Sequence, residues 1–216
     1  MLGSYKRYAK PAVPRIVKLL DQRDLRFEAA EALRGIGPGA RAAVPRLIAA
    51  LSDPNPAYRA LVAETLGAIG DSVPVNKFGV RRTVAQRAVV PLTARLKDAD
   101  PVVRAAAARA LASIGREARF EIPALANLLD DDSDEVRLAG LEAMSVLGRC
   151  PETNAVGLLG LTTNADPRVR LAAFHLLEER DLESDQVVRA LLSALDDQDP
   201  DVRAEAARHL ARTNRD

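Results

Sequence analysis

One basic residue recurs in register along the whole chain. Its successive copies are separated by 33, 45, 33, 33 and 33 residues. A fixed period of about 20–50 residues is the sequence signature of a solenoid, in which one supersecondary unit is stacked many times. The spacing therefore predicts six copies of one unit with a single interruption. The copies are Arg26, Arg59, Arg104, Arg137, Arg170 and Arg203.

Each unit carries two apolar patterns with the period of a helix. In the first, apolar residues recur at i, i+3 and i+7, as in Val44, Leu47 and Leu51, which places them on one helix face. In the second, the stripe begins one residue before the arginine and continues three, seven and ten residues after it. The first pattern returns as Val89, Leu92, Leu96, as Ile122, Leu125, Leu129, and as Val188, Leu191, Leu195.

Capping residues mark where these helices begin and end. Asp followed by Pro opens the second helix in three repeats, with Asp as N-cap and Pro in the first turn. Proline near the start of the first helix is predicted to occupy its first turn, where no N–H is needed. Glycine follows the second helix as a C-terminal stop. The residues are Asp100, Asp166 and Asp199; Pro14, Pro45, Pro91 and Pro123; and Gly37, Gly70, Gly115 and Gly148.

Two helices in 33 residues make an antiparallel hairpin, which cannot bury its apolar face alone. The fold class predicted is all-α, an α-solenoid of six helical hairpins whose core forms by stacking. A basic tail covers residues 1–10 and one solenoid covers 11–216. The repeats are expected at about 11–37, 43–70, 88–115, 121–148, 154–180 and 187–212.

The pattern Asp-Pro-x-Val-Arg-x-x-Ala-Ala-x-Ala-Leu-x-x-Ile-Gly is nearly complete in residues 100–115. It resembles the HEAT-repeat family, in particular the short bacterial repeats named after phycobilin lyases, over about residues 11–212. Family members include scaffolds, adaptors, lyase subunits and DNA-repair enzymes, so this resemblance implies the fold and leaves the function open.

The resemblance also implies a structural ladder, in which aspartates of the turns pair with the arginines within and between repeats. Such pairs are charge-assisted hydrogen bonds with two parallel contacts available. The candidate aspartates lie six residues before an arginine, a place taken by Asn164 in the fifth repeat. They are Asp53, Asp98, Asp131 and Asp197.

The interruption of the period lies at residues 71–88, which exceed the equivalent connection by twelve residues. It is basic and holds one aromatic side chain. Insertions in solenoids often serve binding, whereas extra loop length is also tolerated at little cost. Both interpretations are kept, and the candidate binding loop comprises Lys77, Phe78, Arg81, Arg82 and Arg87.

The residue types that carry catalysis or metal binding are sparse. His175 and His209 are each followed by Leu, so the His-Glu pairs of the metal-binding HEAT oxygenases are missing. Both histidines are interpreted as solvated helix residues, and Cys150 has no histidine beside it in the sequence. We therefore expect no catalytic residue, no metal site, no cofactor and no enzymatic activity.

Five residues after each arginine lies a position opposite the buried stripe, on the side that HEAT solenoids turn toward their concave face. This column is mixed in sign and contains no aromatic anchor. A polar protein-binding face or a solvated face fits it better than a nucleic-acid groove. The column is Glu31, Glu64, Arg109, Glu142, His175 and Arg208.

Charge and composition bound the partners. Residues 1–100 hold 17 Lys and Arg against 9 Asp and Glu, and residues 101–216 hold 14 against 21. This asymmetry allows head-to-tail self-association.

With one cysteine, no signal-peptide pattern and no long apolar run, we expect a cytoplasmic bacterial protein without a membrane partner.

The function predicted is a non-catalytic scaffold or adaptor that binds another protein. The alternatives are a subunit of a chromophore lyase or chaperone, and electrostatic binding of nucleic acid by the basic N-terminal half, which the scarcity of aromatics argues against.

Overall fold

The computed structural model describes residues 10–70, 84–148, 155–178 and 185–213, and over these residues the regular structure is helical, with no strand. The all-α solenoid prediction is confirmed by this architecture and by its structural relatives below. The chain divides into two compact units, Met1–Glu121 and Ile122–Asp216, each described by itself.

The first unit contains the first three repeats, each with one short and one longer helix. Short 3₁₀ segments, Gly37–Ala43 and Gly115–Glu121, follow the second helices of the first and third repeats. The helices are α1 (Val13–Leu19), α2 (Arg26–Ile36), α3 (Val44–Ala50), α4 (Pro56–Gly70), α5 (Val84–Arg95) and α6 (Pro101–Ile114).

The second unit contains repeats four to six in the same arrangement. Its first helix is continued by a 3₁₀ segment, Asn127–Asp130. The helices are α7 (Ile122–Ala126), α8 (Asp134–Leu147), α9 (Ala155–Leu161), α10 (Pro167–Glu178), α11 (Asp185–Ala194) and α12 (Pro200–Thr213).

Aspartate caps begin three of the second helices, as predicted. The side chain of Asp100 accepts a hydrogen bond from the amide of Val102 at 2.9 Å. Asp166 and Asp199 accept the equivalent amides, two residues on, at 2.8 and 2.9 Å. Each cap satisfies a donor that the first helical turn leaves without an intrahelical partner.

Glycine ends the second helix with a backbone that other residues rarely adopt. Gly37, Gly115 and Gly148 have φ angles of 62°, 74° and 110°. Because a Cβ atom is strained at positive φ, these three positions favour glycine. The predicted glycine stops are confirmed there.

In the first unit, neighbouring second helices pack closely against each other. On α6 the predicted stripe of Val103, Ala107, Leu111 and Ile114 is buried. On α4, a Cβ added to Gly67 would lie 2.8 Å from the Cα atom of Ala110. The glycine therefore permits a close approach of α4 and α6.

Two details of the first helices differ from prediction. The insertion continues into α5, which begins at Val84, so Pro91 lies inside the helix and not in its first turn. On α11 the buried stripe is Val187, Leu191 and Ala194, and Leu195 is 38% exposed. Leu191 belongs to both stripes, and at 100° per residue the centre of the observed stripe lies about 65° from that of the predicted one, so the helix is rotated by less than one residue.

Candidate functional site

The repeated arginine closes the turn of its own repeat. Nη1 of Arg59 donates to the carbonyl oxygens of Asp53 and Pro54 at 2.8 and 3.2 Å. Arg104, Arg170 and Arg203 make the same pair of contacts, to the carbonyls six and five residues earlier. The guanidinium group thus fixes the connection between the two helices of a hairpin.

The residue six before the arginine shapes the same turn. Its side-chain oxygen accepts the amide N–H two residues on, an Asx-turn geometry that stabilises the turn. The distances are 2.9 Å for Asp53, 3.1 Å for Asp98, 3.0 Å for Asp131, 2.8 Å for Asn164 and 2.8 Å for Asp197.

Arg59 and Arg170 also donate two parallel hydrogen bonds each to the aspartate of the following repeat. Arg59 Nε and Nη2 donate to Asp98 at 3.0 and 2.7 Å. Arg170 Nε and Nη2 donate to Asp197 at 2.8 and 2.6 Å. These bidentate, largely buried pairs join consecutive repeats within each unit.

The paired carboxylates are held in their charged form. Burial by itself raises the pKa of Asp98, but hydrogen bonds from Arg59 and from the Asp100 amide outweigh it and lower the pKa. Hydrogen bonds from Arg170 lower the pKa of Asp197 against a smaller opposing effect of burial. Arginine binding stabilises each anion more than desolvation destabilises it.

The first repeat uses the same pairing with an aromatic addition. Arg26 pairs with Asp53, and its guanidinium carbon lies 4.6 Å from the ring centroid of Tyr58. The Tyr58 ring also packs against Phe27, with 5.1 Å between ring centroids. A cation over an aromatic face adds to the ion pair.

Arg137 departs from the rule. The aspartate of the next repeat is replaced by Asn164, and Arg137 instead pairs with Asp134 of its own repeat, where Nε donates at 3.0 Å. Nη1 still donates to the carbonyl of Asp131. The sequence contained the signal, an Asn at one ladder position, but not the new partner of Arg137.

The six residues of the exposed column have exposed side chains. In the first unit Glu64 pairs with Arg34. In the second unit Arg208 Nη1 lies 2.6 Å from the carboxylate of Glu205, and His175 Nε2 lies 3.4 Å from it. The column therefore contains both acidic and basic side chains, and several of them form ion pairs with neighbouring residues.

Glu205 and His209 of α12 are buried, and sequence reasoning missed both. They are 2% and 6% exposed. Burial lowers the pKa of His209, while the charge of Glu205 opposes this. The interpretation of His209 as a solvated residue is wrong, because its helix face packs inward; His175 is exposed as expected.

Of the five residues of the candidate binding loop, the structure describes one. Arg87 is exposed on α5. Lys77, Phe78, Arg81 and Arg82, like Cys150, lie outside the described residues.

Among the residues with described positions, no three His, Cys, Asp or Glu side chains come close enough to hold a metal ion. No helix in the same ranges is long and apolar enough to cross a membrane.

The paired helices and the arginine ladder define an α-solenoid repeat protein. Residues 13–78, 76–145 and 155–216 match the family of HEAT repeats. The chain belongs to the HEAT-repeat family, as the arginine pattern predicted.

The solved structures similar to this chain are also repeat proteins. An engineered protein is 26% identical with a TM-score of 0.66; the match covers 92% of this chain and 57% of that one. A designed armadillo repeat protein in complex with the peptide (KR)4 is 19% identical with a TM-score of 0.71, over 94% and 99% of the two chains.

YibA of Escherichia coli is 23% identical with a TM-score of 0.69, over 92% of this chain and 69% of that one. At a sequence identity of this size, the structural similarity shows a shared fold and nothing about function. No curated protein compared with the chain matches it significantly.

Proposed function

We propose that this chain is a non-catalytic scaffold that binds another protein through the exposed column of its second helices. The observation that carries the proposal is the repetition of one exposed polar position in every repeat, Glu31 to Arg208, on helices whose opposite stripe is buried. Solenoids present surfaces of this kind as extended binding faces.

The charge of the column favours a polar partner. In the first unit it presents Glu31, Glu64 and Arg109, and in the second Glu142, His175 and Arg208. Because each unit presents both signs, the column suits a partner with both acidic and basic groups, and complementary charges give specificity and steer association.

A structural relative supports a protein partner. The designed armadillo repeat protein was solved with a bound (KR)4 peptide. A stack of short helical repeats can therefore hold a peptide on its surface, and we extend this capacity to the present chain.

We assign the arginines a structural role and leave them out of the binding face. The N–H groups of Arg59 and Arg170 donate to carbonyl oxygens of the turns and to the carboxylates of Asp98 and Asp197. A guanidinium group with its donors engaged inside the protein has little left for a partner.

A site-specific photo-crosslinker tests the binding face. Placed at Glu64 or Glu142 in the intact chain and irradiated in cells, it should form a discrete adduct with another protein, identified by mass spectrometry. The same group at Arg23, an exposed turn residue outside the column, is the matched control. Equal adducts from all three positions, or none from the column, would contradict the proposal.

The remaining functional hypotheses stay predictions. Steep weakening of nucleic-acid binding with salt would support the nucleic-acid hypothesis. Coloured adducts on co-expression with a bilin would support the lyase hypothesis. Head-to-tail self-association predicts a mass that rises with concentration at low salt, and a cytoplasmic location is checked by fractionation.

A further inference from the structure

A groove lies in the second unit between the first helices of repeats five and six. Its cavity volume is about 940 Å³. One wall is Val156 and Leu159 of α9, the other is Gln186 and Arg189 of α11, and the Arg170–Asp197 pair lies at one end.

Small residues line the α11 side of the groove, among them Ala190 and Ser193. A smaller cleft of about 440 Å³ lies at the Arg59–Asp98 pair of the first unit, where residues at the ends of the first helices and in the turns line it. The groove of the second unit is larger and also extends along α9 and α11.

The size and lining of the groove suit a polypeptide segment. Sites for small molecules span roughly 300–1,000 Å³ and enclose the ligand between apolar and aromatic walls. This groove is at the upper end of that range and open to solvent, and no aromatic side chain is among the described residues that line it. One wall nevertheless offers apolar area, since Val156 is 78% exposed.

Two side chains of opposite charge lie along the α11 wall. Arg189 lies in the first half of α11 and Asp196 just past its end, about 10 Å apart at the rise of a helix. Arg189 Nε donates to the carbonyl of Asp185, and no described residue pairs with the carboxylate of Asp196. Arg170 and Asp197 neutralise each other, so Arg189 and Asp196 define the charge pattern of the groove.

We propose that this groove binds an amphipathic helix of a partner protein. The helix carries an acidic and a basic residue seven positions apart on one face, which meet Arg189 and Asp196. Apolar residues between them pack against Val156 and Leu159. Helices with apolar residues at helical spacing dock into grooves in this way. This inference rests on the proposed scaffold function and assigns it a second, separate surface.

Three synthetic peptides test the charge pattern. Each is an alanine-rich helix with two charged residues seven positions apart and leucines three and four positions after the first. The charged pair is Glu and Arg, Glu and Glu, or Arg and Arg. Binding of the fluorescein-labelled peptides to the intact chain is measured by anisotropy at low salt.

The wild-type chain should prefer the Glu/Arg peptide by about fivefold, the scale of exposed ion pairs that are exchanged for repulsive ones. Arg189→Glu should shift the preference to the Arg/Arg peptide, and Asp196→Arg to the Glu/Glu peptide. Since both side chains are exposed, neither substitution disturbs the core, and circular dichroism confirms folding. Unchanged preferences in the two variants overturn the proposal.

The apolar wall has its own matched pair of variants. Val156→Asp should weaken binding of the Glu/Arg peptide at least tenfold. Val146→Asp, on α8 outside the groove and 66% exposed, should leave it unchanged. Equal effects of the two substitutions overturn the proposal. Column crosslinks without any peptide binding refute the groove and leave the scaffold function standing.

Discussion

Arg59 of α4 donates two parallel hydrogen bonds to Asp98 of the next repeat, at 3.0 and 2.7 Å. The two residues are 39 positions apart in the chain, on either side of the insertion. Asp98 is also held by the amide of its own turn, Asp100, and by Arg95 Nη1 at 3.5 Å. One carboxylate therefore joins the turn of its own repeat to the helix of the preceding one.

Arg59→Ala is expected to lower the free energy of unfolding by about 1–3 kcal/mol, because it removes the two hydrogen bonds that hold the carboxylate of Asp98 and leaves it the longer contact with Arg95. The Asp98 side chain is 4% exposed, so these donors are lost in a largely buried environment. Urea denaturation measures the loss. Arg15→Ala, at an exposed position on α1, is the control and should stay within about 0.5 kcal/mol.

Asn164→Asp is expected to restore the missing rung of the ladder and to raise stability by about 0.5–1.5 kcal/mol. The carboxylate would stand where Asp98 and Asp197 stand in their own repeats, and Arg137 could exchange its bond to Asp134 for it. Denaturation midpoints of the single variant and of Asn164→Asp with Arg137→Ala measure the coupling. A gain that persists without Arg137 would show that the added charge acts by another route.

His209 is expected to make the second unit less stable as the pH falls below about 6.5. Burial lowers the pKa of the folded-state histidine, so between the folded and unfolded pKa values the unfolded chain binds more protons. The contribution is complete above the unfolded pKa and is lost on acidification.

Melting temperatures of wild type and His209→Gln between pH 5 and pH 8 measure this contribution. The wild-type curve should fall more steeply towards low pH than that of the variant. His175→Gln, which removes the exposed histidine of α10, should leave the contribution of His209 in place. Parallel curves for wild type and His209→Gln would contradict the assignment.

Gly67→Ala is expected to destabilise the first unit by about 1–3 kcal/mol through overpacking. The new methyl group would lie 2.8 Å from the backbone Cα of Ala110, and α6 would have to move. Gly35→Ala on α2 is the matched control, since its Cβ would meet nothing within 4 Å. Because alanine favours helix over glycine, that control should be neutral or stabilising by up to about 1 kcal/mol.

Much of the local structure was predictable because it depends on neighbours in the chain. The aspartate cap at Asp100 and the stop at Gly115 act within one or two residues, and the stripe from Val103 to Ile114 follows from the helical period alone. The departures arose where a neighbouring segment intervened. Residues from the insertion form the first turns of α5, so the helix begins at Val84, before Pro91. Packing of α11 turns a neighbouring stripe toward the core and leaves Leu195 partly exposed.

The candidate sites divide in the same way. The exposed column follows from its offset to the arginines, because opposite faces of one helix are set by the helical period. The burial of Glu205 and His209 does not follow from it. These two residues occupy a face of α12 whose environment comes from the helix it packs against, while glutamate is a residue type that is mostly exposed and histidine one of intermediate burial.

The sequence by itself determined the repeat, its helices and the positions of the arginines, since these follow from a period and from short-range capping. Tertiary structure decided which carboxylate each arginine meets. Arg59 reaches Asp98, Arg170 reaches Asp197, and Arg137 turns back to Asp134. It also decided how wide the groove between α9 and α11 is. Stacking sets both, because a contact between repeats depends on the distance between two hairpins, and no residue encodes that distance alone.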